Sequence, residues 1–319
     1  MKLYCSVLLF VFISLSCKKE ETPKEDPVVK DVFVTIDYTM TNLPVSTEFA
    51  QNSSFGGPIE NEFLVEASGL AVSRFNPTIV WSHNDSGHAN RIYAVGNKGE
   101  NYGVFLVQGA SSRDWEDMCI GVGPVDGVNY IYVADIGDNS AQYNYIIVYR
   151  FPEPEITSPQ TDGLNYINSD VVERMEFTYP DGARDAETLM IDPWTKDLYI
   201  VSKRNPQSLV YRAKYPQTVG GRTELEKLAQ LPFNWAVAGD ISPDGKQIAI
   251  KDRYNIYYWT RNLGESVVDA LKKQPVRLPY IPEPQGESFA WTGDNNGYFT
   301  LSEKNGPPIP DLYFYNRVE

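Results

Sequence analysis

Apolar residues from position 32 onward occur in short runs, separated by turns rich in Gly, Pro, Asn and Asp. Runs such as NYIYVADIG and DLYIVSKRN have the length and the flanking turn residues that are typical of β-strands. A weak amphipathic pattern at 264–273 is the single helix that we predict. The domain at 32–319 is therefore predicted to be all-β.

A repeat of about 50 residues organises these strands. One apolar position, which follows an acidic or small-residue motif, recurs at Leu70, Met118, Leu189, Ile241 and Phe289. The intervals are 48, 71, 52 and 48 residues, and each unit continues with a turn and a second strand. Four-stranded units of this length are typical of β-propeller blades. We predict a five-bladed β-propeller, with six blades as the alternative.

The two ends of the repeat predict how the ring closes. The last unit has three strands before Glu319, so we expect the N-terminal strand VFVTIDY, at 32–38, to supply the fourth. Such closure removes two open sheet edges. The long 71-residue interval indicates an inserted loop at roughly 152–170, which is rich in Pro, Ser and Asp.

The first 16 residues have the pattern of a secretory signal, with Lys2 followed by a short apolar run. The ending SLSC resembles the lipobox of bacterial lipoproteins, although Ser14 stands where that motif usually has Leu. The resemblance implies cleavage before Cys17 and lipid attachment to that residue. A plain cleaved signal with a chance cysteine is the alternative.

Residues 17–31 are charged and contain Pro, which predicts a flexible tether. The KKEE at 18–21 resembles the surface-export tag of Bacteroidota lipoproteins. The resemblance implies a protein of the cell envelope that is lipid-anchored to the outer membrane and is either periplasmic or surface-exposed. We expect a monomer that contacts the membrane through this anchor only.

Charge and cysteine content exclude further classes. The net charge of −14 would repel nucleic-acid phosphates, so we expect no nucleic-acid partner. Cys119 would be the one thiol left in the domain, and its apolar surroundings favour a small buried side chain over a nucleophile.

The motifs SGLAV, DAETLMID, GDISPDG and FTLSEK resemble those repeated in bacterial propellers of the phytase-like, gluconolactonase-like and TolB-like (NHL-type) kinds. The resemblance covers about 60–316. It implies calcium or similar cations bound by acidic residues over the central axis, as in the first two of these families. A complete ligand set of either family is not matched.

Acidic residues recur where the predicted blades place them at one rim. The start of the inner strand and the end of the second strand of an antiparallel hairpin lie at the same edge. Inner-strand starts carry Glu116, Glu187 and Glu287, and second-strand ends carry Asp85 and Asp135. Because hard cations prefer carboxylate oxygens, we predict that these five acids surround a Ca²⁺ or Mg²⁺ site.

Two alternatives to a cation remain open for these acids. Each could bond the backbone of a neighbouring strand or pair with Arg113, Arg184 or Lys203. A pair of them could also serve acid/base catalysis.

Other polar and aromatic residues at the same rim are candidate ligand contacts: His83, Asn84, Trp115, Lys203, Arg253 and Glu303. The consecutive residues of HNDS do not predict a catalytic triad, because neighbours in a loop rarely adopt its geometry. Trp115 and Trp235 precede inner strands and are either core residues or contacts for a sugar or aromatic ligand.

Two function classes follow. The first is an extracytoplasmic binding module for a small molecule, glycan, cation or surface protein at the acidic rim. The alternative is a metal-assisted hydrolase of an ester, lactone or phosphoester on the same scaffold. The sequence assigns no catalytic residue.

Overall fold

The regular structure consists of short strands, as the hydrophobic pattern predicts. A computed structural model describes residues 32–304 and 310–318. The predicted signal peptide, the tether at 17–31 and Cys17 lie outside the described residues. Within them no helix is long and apolar enough to cross a membrane.

The first part of the chain contributes two short strands and then most of two blades. The N-terminal strands are β1 (Val34–Thr35) and β2 (Ser54–Pro58). Blade 1 begins with β3 (Ala67–Val72), β4 (Ile79–Asn84), β5 (Arg91–Gly96) and β6 (Asn101–Val107). Blade 2 begins with β7 (Trp115–Val122), β8 (Asn129–Asp135) and β9 (Ile146–Pro152). Next come β10 (Gln160–Ile167) and β11 (Glu173–Thr178).

The second part completes the ring. Blade 3 begins with β12 (Ala186–Ile191), β13 (Leu198–Ser202) and β14 (Leu209–Ala213), which β15 (Arg222–Glu224) and β16 (Glu226–Gln230) follow. Blade 4 has β17 (Ala238–Ile241), β18 (Gln247–Lys251), β19 (Ile256–Thr260), helix α1 (Val267–Leu271) and β20 (Val276–Leu278). Blade 5 has β21 (Gly286–Trp291), β22 (Gly297–Ser302) and β23 (Asp311–Asn316).

These strands form five sheets, which confirms the five-bladed propeller. Each sheet runs outward from its inner strand, and β3, β7, β12, β17 and β21 are the five inner strands. Each inner strand contacts the inner strands of both neighbouring blades, so the blades form a closed ring. The tryptophans at equivalent places of the blades are expected in the core; Trp81, Trp115, Trp259 and Trp291 are fully buried there, whereas Trp235 is exposed, so the expectation is wrong for that residue.

An N-terminal strand closes the last blade, but it is not the predicted one. β2 pairs antiparallel with β23. The assignment of 32–38 to this role is wrong, because β1 pairs in parallel with β16 in blade 3 and Ile36 is buried there. Gly57 explains why a Gly-rich segment closes the ring: its φ is +109°, and a Cβ there would lie 2.2 Å from the Lys98 carbonyl oxygen.

The predicted loop at 152–170 contains a strand. β10 pairs in parallel with β6. The chain therefore returns from blade 2 to blade 1, where β10 lies outside β6 as a fifth strand. β15 likewise pairs in parallel with β11 of blade 2. Most side chains of β10 are exposed, so this strand lacks the apolar alternation that would have revealed it.

Acidic side chains also connect neighbouring blades. Asp117 Oδ2 accepts the backbone N–H of Leu189 at 2.8 Å, and Asp240 Oδ2 accepts that of Trp291 at 3.0 Å. Burial raises the pKa of Asp117 well above its usual value and raises the pKa of Asp240 to about 7. The backbone N–H donors lower both pKa values, and Arg74 lowers that of Asp240, but burial outweighs them. Two acids of the inner strands are therefore structural links of the ring.

Removal of the closing strand should open blade 5. A chain that begins at residue 47 lacks β1 but keeps β2, whereas one that begins at residue 60 lacks both. We expect the second truncation to expose the edge of β23, so that the shortened protein aggregates. Its Tm should be lower than that of the first by roughly 10 °C, which corresponds to a loss of about 4 kcal/mol in the free energy of unfolding. Thermal melting and light scattering would measure this. Equal behaviour of the two chains would contradict closure by β2.

Candidate functional site

The acidic rim is shaped by β-bulges at the starts of three inner strands. In β7, β12 and β21 the pairing register skips one residue, and the skipped residues are Glu116, Glu187 and Glu287. A bulge leaves its extra residue out of the ladder and re-aims its side chain. The three glutamates that the sequence aligns therefore share a backbone irregularity as well as a position.

Two groups of carboxylates meet at this rim. Asp85, Asp114 and Glu116, which we call the carboxylate trio, each place one oxygen within 4.8 Å of the other two. Glu116, Asp185 and Glu187 form a second group by the same measure. Glu116 belongs to both groups and is almost fully buried.

Lysine and arginine balance the second group. Lys203 Nζ forms an ion pair with Glu187 and lies 3.7 Å from Glu287 Oε1. Arg204 Nε lies 2.7 Å from Asp185 Oδ2. Burial opposes the charge of Lys203, but Glu187 and Glu287 outweigh it and raise the pKa of Lys203. Two of the expected pairings occur, Lys203 with Glu187 and Arg113 with Asp135, whereas Arg184 pairs with Asp181, which is not one of the five acids.

No comparable partner balances the trio. Within residues 32–304 and 310–318, no ion pair or hydrogen bond reaches the carboxylates of Asp114 and Glu116, and Asp85 accepts only the backbone N–H of Ser86. Burial and the neighbouring Asp85, Asp185 and Asp135 raise the pKa of Asp114 to about 6, against the smaller effect of Arg113. Burial and Glu187 raise the pKa of Glu116 well above its usual value. Lys203 and Arg113 act on these acids without forming an ion pair with any of them, so the charge of the trio is only partly balanced.

Two of the predicted metal ligands lie outside both groups. Asp135 accepts the backbone N–H of Asp114 at 2.9 Å, so it holds the strand start in place rather than facing the trio. Glu287 Oε1 lies 3.7 Å from both Lys203 and Arg253, so its charge is already partly balanced. The predicted set of five therefore contributes Asp85, Glu116 and Glu187 to the two groups.

Three predicted ligand contacts are buried inside the blades and do not face the rim: His83, Asn84 and Trp115. His83 is fully buried, with Nδ1 3.0 Å from the Asn84 carbonyl oxygen and its ring edge-on to buried Trp115. Burial lowers the pKa of His83 to about 4, so the ring is neutral. Asn84 accepts the N–H groups of Val65 and Glu66, which fixes the segment before β3. These side chains have structural partners because they lie within the paired length of β4, which ends at Asn84.

The other predicted contacts do reach the rim. Arg253 Nη2 donates to Gln285 Oε1 at 2.9 Å, and Gln285 Nε2 donates to Glu303. Burial, then Glu287, Asp85 and Glu66, raise the pKa of Glu303 to about 8. Lys203, Arg253 and Glu303 thus form one polar network on the side of blades 3 to 5.

Sequence reasoning missed two acids that the structure brings into the groups. Asp114 and Asp185 each precede a bulged glutamate by two positions, in the repeated motif Arg-Asp-X-Glu. The repeat RDWED and RDAET was the available signal, since it matches at both acidic positions. The missed Arg204 follows Lys203 directly and pairs with Asp185.

A cavity lies elsewhere, at the outer edge of blade 1. It has a volume of about 430 Å³ and is lined by Glu60, Phe63, Arg91 and Leu164 among others. It brings together no group of metal-ligating side chains in the described part of the chain. The rim is the stronger candidate site, because buried charges that lack partners are concentrated there.

Comparisons with known proteins leave the family open. No family model matches the chain, and no curated protein matches it by sequence. Among solved structures, the chain is similar to the Pan2 WD40 domain of Neurospora crassa, with 10% sequence identity and a TM-score of 0.44. The similarity covers 87% of this chain and 98% of that one. The resemblance to phytase-like, gluconolactonase-like or TolB-like propellers stays a prediction.

The raised pKa of Glu303 predicts a dependence of stability on pH. Because the pKa in the folded state is about 8, above its usual value, this residue's contribution is fully present at low pH and is lost as pH rises through about 8. We expect Tm to fall between about pH 5 and pH 8, and to fall less in Glu303→Gln, which mimics the protonated acid. Glu62→Gln, at an exposed acid, should leave the profile unchanged. Parallel profiles for wild type and Glu303→Gln would contradict this.

Proposed function

We propose that this protein is a binding propeller that holds a hard divalent cation, Ca²⁺ or Mg²⁺, in its carboxylate trio. The observation that carries the proposal is the geometry of Asp85, Asp114 and Glu116, whose oxygens lie within 4.8 Å of one another without an ion pair to any of the three in the described residues. Like charges this close either stay partly protonated or recruit a cation.

The spacing of the three oxygens suits the ion. Calcium binds oxygens at about 2.3–2.6 Å, so two ligands on opposite sides of it lie roughly 5 Å apart. Three oxygens within 4.8 Å of one another can therefore contact one ion. The remaining ligands would be waters or oxygens of a bound molecule, because calcium takes six to eight oxygen ligands.

Lys203 explains why the trio, and not the second group, is the favoured half of the rim. Its ammonium already lies between Glu187 and Glu287, so a divalent ion there would be repelled. Arg204 has the same effect beside Asp185. Glu116 is the acid that connects the two halves, because it belongs to both groups.

Binding should compete with protonation. The pKa of Asp114 is about 6 without a cation, so an ion must displace a proton from the trio below that pH. Affinity for the cation would therefore fall as pH drops below about 6. This competition distinguishes a carboxylate site from nonspecific screening of the net negative charge.

Calcium should stabilise the folded protein through this site. At about 100 times Kd the expected gain is roughly 2.7 kcal/mol, or a rise in Tm of about 5 °C. Glu116→Gln keeps the side-chain shape and should remove most of that rise, because it removes a ligand oxygen of the trio. Differential scanning fluorimetry with Ca²⁺, Mg²⁺ and EDTA, followed by calorimetric titration, would measure both effects.

Glu287→Gln is the matched control. Glu287 occupies the same bulge position in blade 5 but lies next to Lys203 and Arg253, so its change should leave the calcium response largely intact. A wild-type Tm that is indifferent to Ca²⁺, Mg²⁺ and EDTA would reject the cation. Equal loss of response in both variants would place the ion at the centre of the rim instead.

We also propose that a lipid on Cys17 anchors this binding module in the cell envelope. The support is the SLSC motif and the charged segment after it. Cys17→Ala should move the full-length protein from the membrane fraction to the soluble fraction, as shown by blotting after fractionation of cells that process lipoproteins. Unchanged membrane association of the variant would refute the anchor.

A further inference from the structure

Trp235 is the most exposed of the six tryptophans, since Trp194 is half-buried and the other four are in the core. It is 42% exposed, whereas Trp81, Trp115, Trp259 and Trp291 are fully buried. It lies in the segment between β16 and β17, just before the inner strand of blade 4. Its ring is close to the acidic rim, since the Lys203 ammonium lies 5.4 Å and the Arg204 guanidinium carbon 5.2 Å from the ring centroid.

The backbone holds this ring in place at an energetic cost. Trp235 has a φ of +61°, in the left-handed region that bulky residues rarely adopt. Such a conformation is energetically unfavourable and persists where the surrounding structure fixes it. Here the Trp235 N–H donates to the Lys203 carbonyl oxygen at 3.0 Å. Burial does not explain the conformation, because the side chain is exposed.

We propose that Trp235 is the stacking platform for a neutral sugar ring, so that this rim binds a glycan. Aromatic rings with a few polar groups beside them are typical of small-molecule sites. The C–H face of a pyranose would lie on the indole. Its hydroxyls would reach the carboxylates and the cations that flank the ring.

The charges around the ring select a neutral ligand. Lys203 and Arg204 lie near the indole and repel a cationic ligand. Each is paired with an acid, Glu187 or Asp185, and these acids repel an anion. A hydroxyl both donates and accepts, so it can bond a carboxylate on one side and a guanidinium on the other. Sugars present several such hydroxyls next to an apolar face.

Affinity electrophoresis of the soluble domain would test this. The gels would contain soluble starch, xylan, galactomannan or mixed-linkage β-glucan. We expect retardation in at least one gel, loss of roughly 30-fold in affinity for Trp235→Ala, and retention in Trp235→Phe, which keeps an aromatic ring. Phe75→Ala is the matched control, since Phe75 is 44% exposed in the turn between β3 and β4, at the opposite rim.

The outcomes separate this inference from the cation. Retardation that persists in EDTA while calcium leaves Tm unchanged supports the sugar platform and rejects the cation. A calcium response without retardation in any of the four gels overturns the platform. Retardation that is equal in wild type and Trp235→Ala also overturns it, because the glycan then binds elsewhere. The Tm of Trp235→Ala, measured alongside, shows that a loss of binding is not a loss of fold.

Discussion

The close packing of five inner strands around one axis is the constraint on which the rest of the structure depends. Each inner strand contacts two others, and in four of the five blades the pairing register shifts near the start of the inner strand, whereas β17 in blade 4 pairs regularly. Three of them bulge at a glutamate, and in blade 1 the register shifts around Gly69, where a Cβ would lie 2.6 Å from the Met118 nitrogen. The bulge releases the glutamate toward the rim and lets the following residue link to the next blade, as Asp117 does.

The ring also decides how charge is distributed. An acid that bonds a neighbouring strand, such as Asp117 or Asp240, has a fixed structural partner even though burial raises its pKa. An acid released by a bulge has no backbone partner and must be balanced by a side chain or by a ligand. Lys203 supplies that balance between Glu187 and Glu287. The trio has no ion pair of this kind in the described residues, so its acids are less well balanced than those around Lys203.

The sequence predicted the architecture well because the repeat is a property of every blade. The aligned positions from Leu70 to Phe289 all fall on inner strands, and the bulged glutamates lie where the alignment placed them. Features that depend on one segment of the chain, such as ring closure, have no repeat that would reveal them. The strand count of the last unit predicts that an N-terminal strand closes the ring, but it does not reveal that closure needs the close backbone approach that Gly57 permits, so it pointed to 32–38.

The sequence predicted which rim carries the acids, but not which side chains pair with one another there. Polar residues at strand ends were all assigned to the rim, yet His83 and Asn84 lie inside because pairing in β4 continues to Asn84. Asp114 and Asp185 were overlooked because the alignment followed the glutamates alone. Which acids carry a counterion depends on the reach of long side chains across blades, as from Lys203 in blade 3 to Glu287 in blade 5, and no spacing in the sequence reveals that.

Lys203 connects the two proposed sites. Its ammonium neutralises Glu187 and Glu287, which leaves the trio as the less well balanced acids, and its carbonyl oxygen accepts the N–H of the strained Trp235. The ion pair restrains the side chain, and the hydrogen bond fixes the segment that carries the indole. A rim with a fixed aromatic ring on one side and only partly balanced carboxylates on the other is organised before any ligand arrives, so binding need not pay again for ordering these groups.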